Sequence, residues 1–382
     1  MKKIYIFCSI TFVLLIMFLI NNQKSSNDLN EIVFNESIPK EWLDNGIFKD
    51  YYNLAYNKLQ ELSLDEKIGQ LFLVRYPESN QVAIQQTYNF AGYVFYAKDF
   101  ANKNFEQVTE MIETLQNNSK ITLLTAVDEE GGKVVRISSN PSLIAEPFKA
   151  SSELYEIGGF EKIRADTIVK SKFLFKFGLN LNLAPVVDVA TNKNDYMYNR
   201  TIKKDTVVTS NYAKTVIEAS KNTGVSYTLK HFPGYGNNKD THIGFSIDDR
   251  TYDELLKNDL PPFAAGIAAG AEAIMISHNI VSAIDKEKPA SISNNINKLL
   301  REDLSFTGII ITDDISMSAL NNIENVTLKS FLAGNNLIIT TDYEKSFNEI
   351  KKALEINKIK ENAIDENVFK VLAWKYYKGL IK

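Results

Sequence analysis

Short runs of apolar residues alternate with longer amphipathic stretches along most of this 382-residue chain. A short run without polar alternation is typical of a strand with both faces buried, whereas apolar positions three and four residues apart indicate a helix. The pattern predicts strands at residues 71–75, 92–96, 121–128, 179–188, 226–230, 273–277, 308–313 and 337–341. Helices are predicted between them, at residues 104–116, 161–177, 206–222, 252–269, 295–303, 317–333 and 343–354.

The order of these elements predicts the fold class. Successive strand–helix units indicate an α/β protein, and eight of them fit a single (β/α)8 barrel of the TIM type, which we assign to residues 49–382. Ser63, three residues before Glu66, forms a capping box that starts a helix ahead of the first strand. An open, doubly wound sheet stays as the alternative, because alternation alone does not show that a sheet closes.

The N-terminal residues have a different pattern. Lys2 and Lys3 precede an apolar run from residue 4 to residue 20, and a polar segment follows. Such a run can cross a thin membrane as a helix, so we predict a transmembrane anchor in residues 1–24 and a polar tether over residues 25–48. Lysines ahead of the span place the barrel outside the cell membrane as a single-pass protein. A cleaved signal peptide, giving a secreted protein, and a lipoprotein attached through Cys8 are the alternatives.

Charge and cysteine content exclude several classes of function. The formal net charge is −4 and no long basic run occurs, which argues against nucleic acid as a partner. Cys8 is the only cysteine, so the barrel can form no disulfide. The chain contains neither Cys-x-x-Cys nor His-Glu-x-x-His, so we predict no metal and no cofactor. A small-molecule substrate and the membrane are the expected partners, without an obligate protein partner.

Polar residues follow the predicted strands where the strands end. In a barrel of parallel strands the carboxyl ends form the catalytic face, so residues there are candidates for function. A simpler explanation applies to each one singly, because strand ends are often polar and Asp commonly caps the next helix. The set consists of Asp128, Asp188, Lys230, His231, His278, Asp313 and Asp314.

The most informative segment runs from Lys230 to His242 and reads Lys-His-Phe-Pro-Gly-Tyr-Gly-Asn-Asn-Lys-Asp-Thr-His. A strand end leads into a Gly- and Asn-rich loop, which permits unusual backbone conformations. The loop ends in Asp240-x-His242, where a carboxylate can orient an imidazole and raise its basicity. A metal site formed by His231, His242 and a carboxylate is a weaker alternative, since no established ligand spacing supports it.

This segment resembles the signature of β-N-acetylglucosaminidases of glycoside hydrolase family 3. Four further segments resemble that family's blocks in the same order. They are Val127-Asp-Glu-Glu-Gly-Gly-Lys-Val-Val-Arg136, Ala184-Pro-Val-Val-Asp188 with Asn199-Arg200-Thr201, Met275-Ile-Ser-His278, and Ile311-Thr-Asp-Asp-Ile-Ser-Met317. The resemblance covers residues 62–334 and implies a retaining exo-β-N-acetylglucosaminidase on a (β/α)8 barrel.

The resemblance also implies roles for particular residues. Asp313 is similar to the nucleophile, and Asp314 is left as a helix cap, although alternation along the strand does not choose between them. His242 is similar to the acid/base with Asp240 as its partner, and Glu130 is the first carboxylate to consider if His242 is not the proton donor. An imidazole suits this task, because its ordinary pKa of about 6.5 lies near neutrality. The residues expected to hold the sugar are Asp128, Arg136, Arg200, Lys230 and His231.

Some positions depart from the family pattern. Glu129 stands where Gln is frequent, Lys133 where Arg is frequent and Thr241 where Ser is usual, and residues 194–198 also differ. These departures concern the shape of the sugar pocket rather than the catalytic pair.

Three different functions stay open beside this one. Family members that act on glucosides or xylosides take their acid/base from an additional C-terminal domain, and the residues after Asp313 are too few for one. The second is a phosphorylase, with phosphate in place of water, and the third is a non-catalytic sugar-binding protein. An exterior location favours fragments of peptidoglycan, GlcNAc joined to N-acetylmuramic acid, as the substrate.

Overall fold

The computed structural model describes residues 34–236 and 246–382. Its centre is a sheet of eight parallel strands, and all eight predicted strands are confirmed. In most of them every residue is buried, as expected for strands covered on both faces. We number them β1 Phe72–Arg75, β2 Gly92–Phe95, β3 Leu124–Val127, β4 Leu181–Asn182, β5 Ser226–Phe232, β6 Ala273–Ile276, β7 Ile309–Thr312 and β8 Ile338–Thr340.

The sheet closes into a barrel, which rules out the open doubly wound alternative. Each strand from β1 to β6 pairs with the next along the chain, and β8 pairs with β1 through three residue pairs, Phe72–Ile338 among them. The remaining seam, between β7 and β8, contains one parallel bridge, between Ile311 and Leu337. A TIM-type (β/α)8 barrel is therefore the observed architecture.

Side chains complete the hydrogen bonding at the seam between β7 and β8. The Asn336 Oδ1 atom accepts the Ile310 backbone N–H at 2.9 Å, and the Thr312 hydroxyl accepts the Ile339 N–H at 3.1 Å. Asn336 also donates to Asn367 Oδ1 at 2.6 Å, in the last described helix. This amide therefore joins the barrel seam to the C-terminal helix.

Helices surround the barrel in the described part of the chain. The helix predicted at 161–177 is confirmed as the second part of Ser151–Lys176, and a break at Gly158 and Gly159 separates it from a first part that the sequence analysis did not predict. The region 252–269 forms two helices rather than one, since Pro261 and Pro262 start a new helix. The α-helices are Tyr52–Gln60, Leu64–Gly69, Gln81–Tyr88, Ala97–Phe100, Phe105–Asn117, Ser151–Lys176, Thr206–Ser220, Tyr252–Asn258, Leu260–Ala268, Asn294–Lys298, Val326–Leu332, Tyr343–Glu355 and Glu361–Tyr377.

The predicted tether over residues 25–48 is too long at its C-terminal end. A compact unit begins at Glu36, and Ile38, Trp42 and Phe48 are buried within it. The Trp42 ring lies 5.5 Å from the Phe369 ring, and the Phe48 ring lies 5.3 Å from the Tyr377 ring. Residues 36–48 therefore belong to the folded domain, because their apolar side chains cover the C-terminal helix.

The predicted transmembrane anchor, residues 1–24, lies outside the described residues. Within residues 34–236 and 246–382, no helix is both long enough and apolar enough to cross a membrane. The capping box predicted at Ser63 is confirmed, since Ser63 and Glu66 exchange hydrogen bonds at the start of helix Leu64–Gly69.

Candidate active site

The carboxyl ends of the strands bring most of the candidate residues to one face of the barrel. Asp128 follows β3, Lys230 and His231 are the fifth and sixth residues of β5, and Asp313 follows β7. Arg136 and Arg200 come from the loops after β3 and β4. Asp240 and His242 lie outside the described residues, so their predicted roles stay predictions.

Lys230 is the centre of a buried charge network. Only 1% of its surface is exposed, and its Nζ atom lies 2.6 Å from Asp128 Oδ1 and 2.7 Å from Glu130 Oε1. Arg200 binds the same Glu130 with two hydrogen bonds, from Nε at 3.0 Å and Nη2 at 2.6 Å. The buried Lys230 therefore holds the partly exposed Asp128 in a fixed position next to its own ammonium group.

Glu130 is a structural anion in this network. Burial alone would raise the pKa of its carboxyl, but the charges of Lys230 and Arg200 lower it to about 2. A carboxyl that holds no proton near neutrality cannot protonate a leaving group. Glu130 is thus a poor substitute for His242, and much of the hydrogen-bonding capacity of Arg200 is directed to Glu130 rather than to the open face.

The loop that carries Arg136 is held by Glu129. The fully buried Glu129 carboxylate accepts the backbone N–H groups of Arg136 at 2.9 Å and Ile137 at 3.0 Å, and it also binds the Ser138 hydroxyl. Burial raises the pKa of Glu129 even though these hydrogen bonds oppose the shift. The Arg136 guanidinium lies 3.5 Å from Asp128 Oδ2, and its Nε atom is buried without a hydrogen-bond partner in the described structure.

Asp188 orients His231. The distance from the Oδ2 atom of the buried Asp188 carboxylate to the His231 Nδ1 atom is 2.8 Å. The Asp188 Oδ1 atom accepts the Tyr235 backbone N–H at 2.7 Å. The sequence predicts Asp188 at a strand end but assigns it no role. The spacing between Asp188 and His231 gives no sign that they are partners, because β4 and β5 bring them together only in the folded barrel.

The neighbouring carboxylates of Asp313 and Asp314 have different surroundings. Asp314 accepts the Ser316 N–H at 2.9 Å through Oδ1 and the Thr341 hydroxyl at 2.8 Å through Oδ2. Asp313 accepts the Asp314 N–H at 2.8 Å through Oδ1, and no other described residue donates a hydrogen bond to its carboxylate. Burial opposes ionisation of Asp313, yet the nearby His278, His231 and Lys230 hold its pKa below the ordinary value.

Two further residues border this site. Tyr96 follows β2, and the Arg136 guanidinium carbon lies 5.2 Å from its ring centre. The apolar pattern places Tyr96 inside the second strand, so it was not among the predicted strand-end residues. His278 is fully buried, with Nδ1 2.7 Å from the Ser291 hydroxyl and Nε2 2.9 Å from the Asp314 carbonyl oxygen. Since a carbonyl can only accept, Nε2 carries a proton.

Metal ligands are not grouped at this face within the described residues. Between residues 34 and 236, and from 246 onward, no three His, Cys, Asp or Glu side chains are placed to bind one ion. The charged groups found there pair with one another, and Asp128, Arg136 and Asp313 are partly exposed.

Comparison with known proteins gives this geometry a context. Residues 63–374 match the model of the glycosyl hydrolase family 3 N-terminal domain. The chain is 34% identical over 233 residues to a beta-hexosaminidase of Xanthomonas campestris pv. campestris (strain B100), covering 60% of this chain and 69% of that protein. It is 35% identical over 234 residues to a beta-hexosaminidase of Stenotrophomonas maltophilia (strain K279a), covering 60% and 68%.

Solved structures agree with the sequence matches. A glycoside hydrolase family 3 beta-N-acetylglucosaminidase from Paenibacillus sp. str. FPU-7 superposes with a TM-score of 0.77 and 25% identity, over 84% of this chain and 63% of that chain. A beta-N-acetylhexosaminidase from Beutenbergia cavernae DSM 12333 has the same fold, with a TM-score of 0.74 and 24% identity over 82% and 99% of the two chains. The chain therefore belongs to glycosyl hydrolase family 3 and is a glycoside hydrolase.

Proposed function

We propose that the protein is a retaining exo-β-N-acetylglucosaminidase that removes terminal β-linked GlcNAc through a covalent intermediate on Asp313. The observation that carries this proposal is the surroundings of Asp313. Its carboxylate is kept ionised beside His231 and Lys230 and retains an oxygen without a hydrogen bond from any described residue. An ionised carboxylate with an available oxygen is what attack on an anomeric carbon requires. The relatives named beta-hexosaminidase support the choice of sugar.

The first chemical step forms the glycosyl–enzyme. An Asp313 oxygen bonds to the anomeric carbon while the bond to the leaving oxygen breaks, and His242 donates its proton to that oxygen. In the second step water attacks the anomeric carbon, His242 recovers a proton from the water, and Asp313 leaves as a carboxylate. Two inversions give net retention. The donor role of His242, with Asp240 as its partner, rests on the family resemblance.

The charge network supplies the contacts that hold the sugar. Asp128 can accept from a sugar hydroxyl while Lys230 Nζ, 2.6 Å away from it, donates to the same or the next one. The partly exposed Arg136 guanidinium borders Asp128 at 3.5 Å and can donate to a sugar hydroxyl, and His231 is oriented by Asp188. Arg200 acts mainly through Glu130, which places Lys230. These groups hold the sugar ring of the substrate next to Asp313, so the bound substrate is oriented for attack on its anomeric carbon.

The natural substrate that we propose is a peptidoglycan fragment with terminal GlcNAc on N-acetylmuramic acid. The support comes from the sequence: the apolar run of residues 4–20 favours an anchored protein whose barrel meets wall fragments outside the cell membrane. Chitin oligomers are the competing substrate, and product analysis on purified muropeptides separates the two.

Two measurements test the reaction. Turnover of 4-nitrophenyl N-acetyl-β-glucosaminide should exceed that of the corresponding glucoside by about a hundredfold or more, and the first product seen by NMR should be the β anomer. A slow fluorinated substrate should label Asp313, and the Asp313→Ala variant should fold but lose nearly all turnover. An α product would refute retention of configuration, and a label on Asp314 would refute Asp313 as the nucleophile. GlcNAc-1-phosphate formed in phosphate buffer would refute hydrolysis, because it is the product of a phosphorylase.

A further inference from the structure

A buried ionic cluster lies next to the two points where residues 237–245 join the described chain. The Arg250 guanidinium binds Asp248 through Nε at 2.9 Å and Nη2 at 2.6 Å, and it binds Asp259 through Nη1 at 2.6 Å. The side chains of both carboxylates are fully buried, while 20% of Arg250 is exposed. One guanidinium thus holds together the segment after residue 245 and the residue that precedes helix Leu260–Ala268.

The residues that lead into the segment 237–245 pack directly on this cluster. A Cβ atom on Gly234 would lie 2.4 Å from Asp259 Oδ1, and one on Gly236 would lie 2.4 Å from the Arg250 guanidinium carbon. Both glycines have positive φ angles, 121° and 57°. The backbone can approach the cluster so closely only because these positions lack side chains. Gly236 therefore lies against Arg250 at the entrance to the segment.

The residues that lead out of the segment are fixed as well. The Ser246 carbonyl accepts the Ile280 N–H at 2.9 Å, and the Asp248 carbonyl accepts the Ser282 N–H at 2.8 Å. The two short strands, Ile247–Asp248 and Ile280–Val281, form a parallel pair. The Asp248 side chain binds Arg250, and Gly236 packs against the same guanidinium. Residues on both sides of the segment 237–245 are therefore held by Arg250.

We propose that Arg250 is a positioning residue for proton transfer, because it fixes the described residues on both sides of residues 237–245. This inference rests on the proposed function, in which that segment supplies Asp240 and His242. Fixing both ends of a segment reduces the number of conformations that it can adopt and so lowers the entropy lost in placing a catalytic group. No contact of Arg250 with the sugar-binding residues occurs among the described residues, so its effect is indirect.

The Arg250→Lys variant tests this role, because lysine keeps the charge but cannot bridge Asp248 and Asp259 with a planar fork. Arg164→Lys is the matched control, since Arg164 pairs with Glu218 on the surface of an outer helix at 3.4 Å. The kcat/KM of Arg250→Lys should fall about tenfold or more on methyl N-acetyl-β-glucosaminide, which needs a proton on its leaving group. It should fall less than about threefold on the nitrophenyl substrate, which does not need one.

A second readout tests the anchoring without reference to the reaction. Lys239 offers a tryptic site within the segment, and cleavage after it divides the chain into fragments of residues 1–239 and 240–382. Cleavage there should be about tenfold or more faster in Arg250→Lys than in Arg164→Lys at a temperature where both remain folded, because loosened ends give protease more access. If Arg250→Lys does not fold, Asp259→Ala, which removes the acceptor of Arg250 Nη1, should give the same pattern.

The outcomes separate this inference from the proposed function. Equal losses on both substrates, or a cleavage rate equal to that of the control, would overturn the role of Arg250 and leave the reaction intact. His242→Ala is measured in parallel. If His242→Ala shows no dependence on the leaving group, the proton donor of the proposed function is wrong, and cleavage after Lys239 alone decides whether Arg250 fixes the segment.

Discussion

Lys375 lies in the C-terminal helix with its ammonium group closed off from solvent. The side chain is fully buried, and Nζ donates to Gln70 Oε1 and to the Ala91 carbonyl oxygen, both at 2.9 Å. Neither acceptor carries a charge. Burial therefore lowers the pKa of Lys375 to about 7.

This environment makes stability depend on pH. Below about pH 7 the lysine is charged in both the folded and the unfolded chain, and the folded chain bears the cost of a buried charge. Between about pH 7 and 10 only the unfolded chain holds the proton, so this residue makes the free energy of unfolding rise with pH, by about 4 kcal/mol in all.

Lys375→Met should remove that rise. Urea unfolding of the variant and the wild type at pH 7 and pH 9.5 should show a smaller increase in the free energy of unfolding for Lys375→Met, by about 3 kcal/mol. The exposed Lys352 in the preceding helix offers a control, since Lys352→Met should keep the wild-type increase. Equal increases in all three proteins would mean that Lys375 is charged in the folded state at pH 7.

For single residues, the sequence predicted where each one lies relative to a strand better than it predicted which side chain each one binds. Asp128 and Asp313 directly follow strands as expected, because apolar runs reveal where strands end, whereas the strand with Lys230 continues to Phe232. The bonds between Lys230 and Glu130 and between His231 and Asp188 join residues far apart in the chain, and periodicity contains no information about such pairs. The difference between Asp313 and Asp314 depends on Thr341, which follows another strand.

At the level of elements, one buried carboxylate in the loop after β3 binds the backbone next to Arg136. Glu129 accepts the N–H groups of residues 136 and 137 and thereby orients the start of the turn Ile137–Ser139, which follows Arg136. Buried N–H groups that lose their acceptor cost about 1–3 kcal/mol each. The placement of Arg136 is therefore a property of this loop as well as of Arg136 itself.

We expect Glu129→Ala to raise KM for the nitrophenyl substrate by about tenfold with a smaller effect on kcat, since sugar contacts depend on Arg136 while Asp313 is untouched. Glu129→Gln should be milder, because its amide oxygen still accepts the backbone N–H groups. Unchanged KM in the alanine variant, with a normal melting temperature, would show that the loop holds its shape without the carboxylate.

Element boundaries that the sequence misplaced have local physical causes. Residues 317–333 were predicted as one helix, but the structure has a short 3-10 turn at Ser318–Leu320 and an α-helix only from Val326. Asn325 adopts a left-handed conformation just before this helix, which an apolar period does not reveal. Residues 299–303 continue as a π-helix after the helix Asn294–Lys298, so the predicted extent was right and the type of helix was not.

At the scale of the whole molecule, the position of the N-terminal boundary can be measured. Deleting residues 1–35 should leave the melting temperature of the barrel unchanged, since the compact unit starts at Glu36. Deleting residues 1–48 removes the buried Ile38, Trp42 and Phe48. At about 1.5–3 kcal/mol for each buried apolar side chain, the loss should be on the order of 5 kcal/mol and lower the melting temperature by several degrees or more. Equal melting temperatures for the two deletion variants would mean that the folded domain starts at residue 49, as predicted from the sequence.

The overall fold was predictable to a large degree. Eight apolar runs such as 273–277 and 308–313 identified eight strands, and their alternation with helices indicated parallel pairing. Closure was beyond the sequence, because it depends on pairs such as Phe72 with Ile338, which are adjacent in the barrel but far apart in the chain. The buried role of Trp42 and Phe48 was missed because they are isolated aromatic residues in a mostly polar stretch.

The seam between β7 and β8 has a consequence for the order in which the ribosome delivers the chain. Neither edge of the sheet can be covered until β8 is made, since β8 pairs with β1 on one side and borders β7 on the other. The amide of Asn336 meets Asn367 only when the last helix has also left the exit tunnel. During synthesis the nascent chain therefore exposes two unpaired strand edges, which are the places where nascent chains associate with one another.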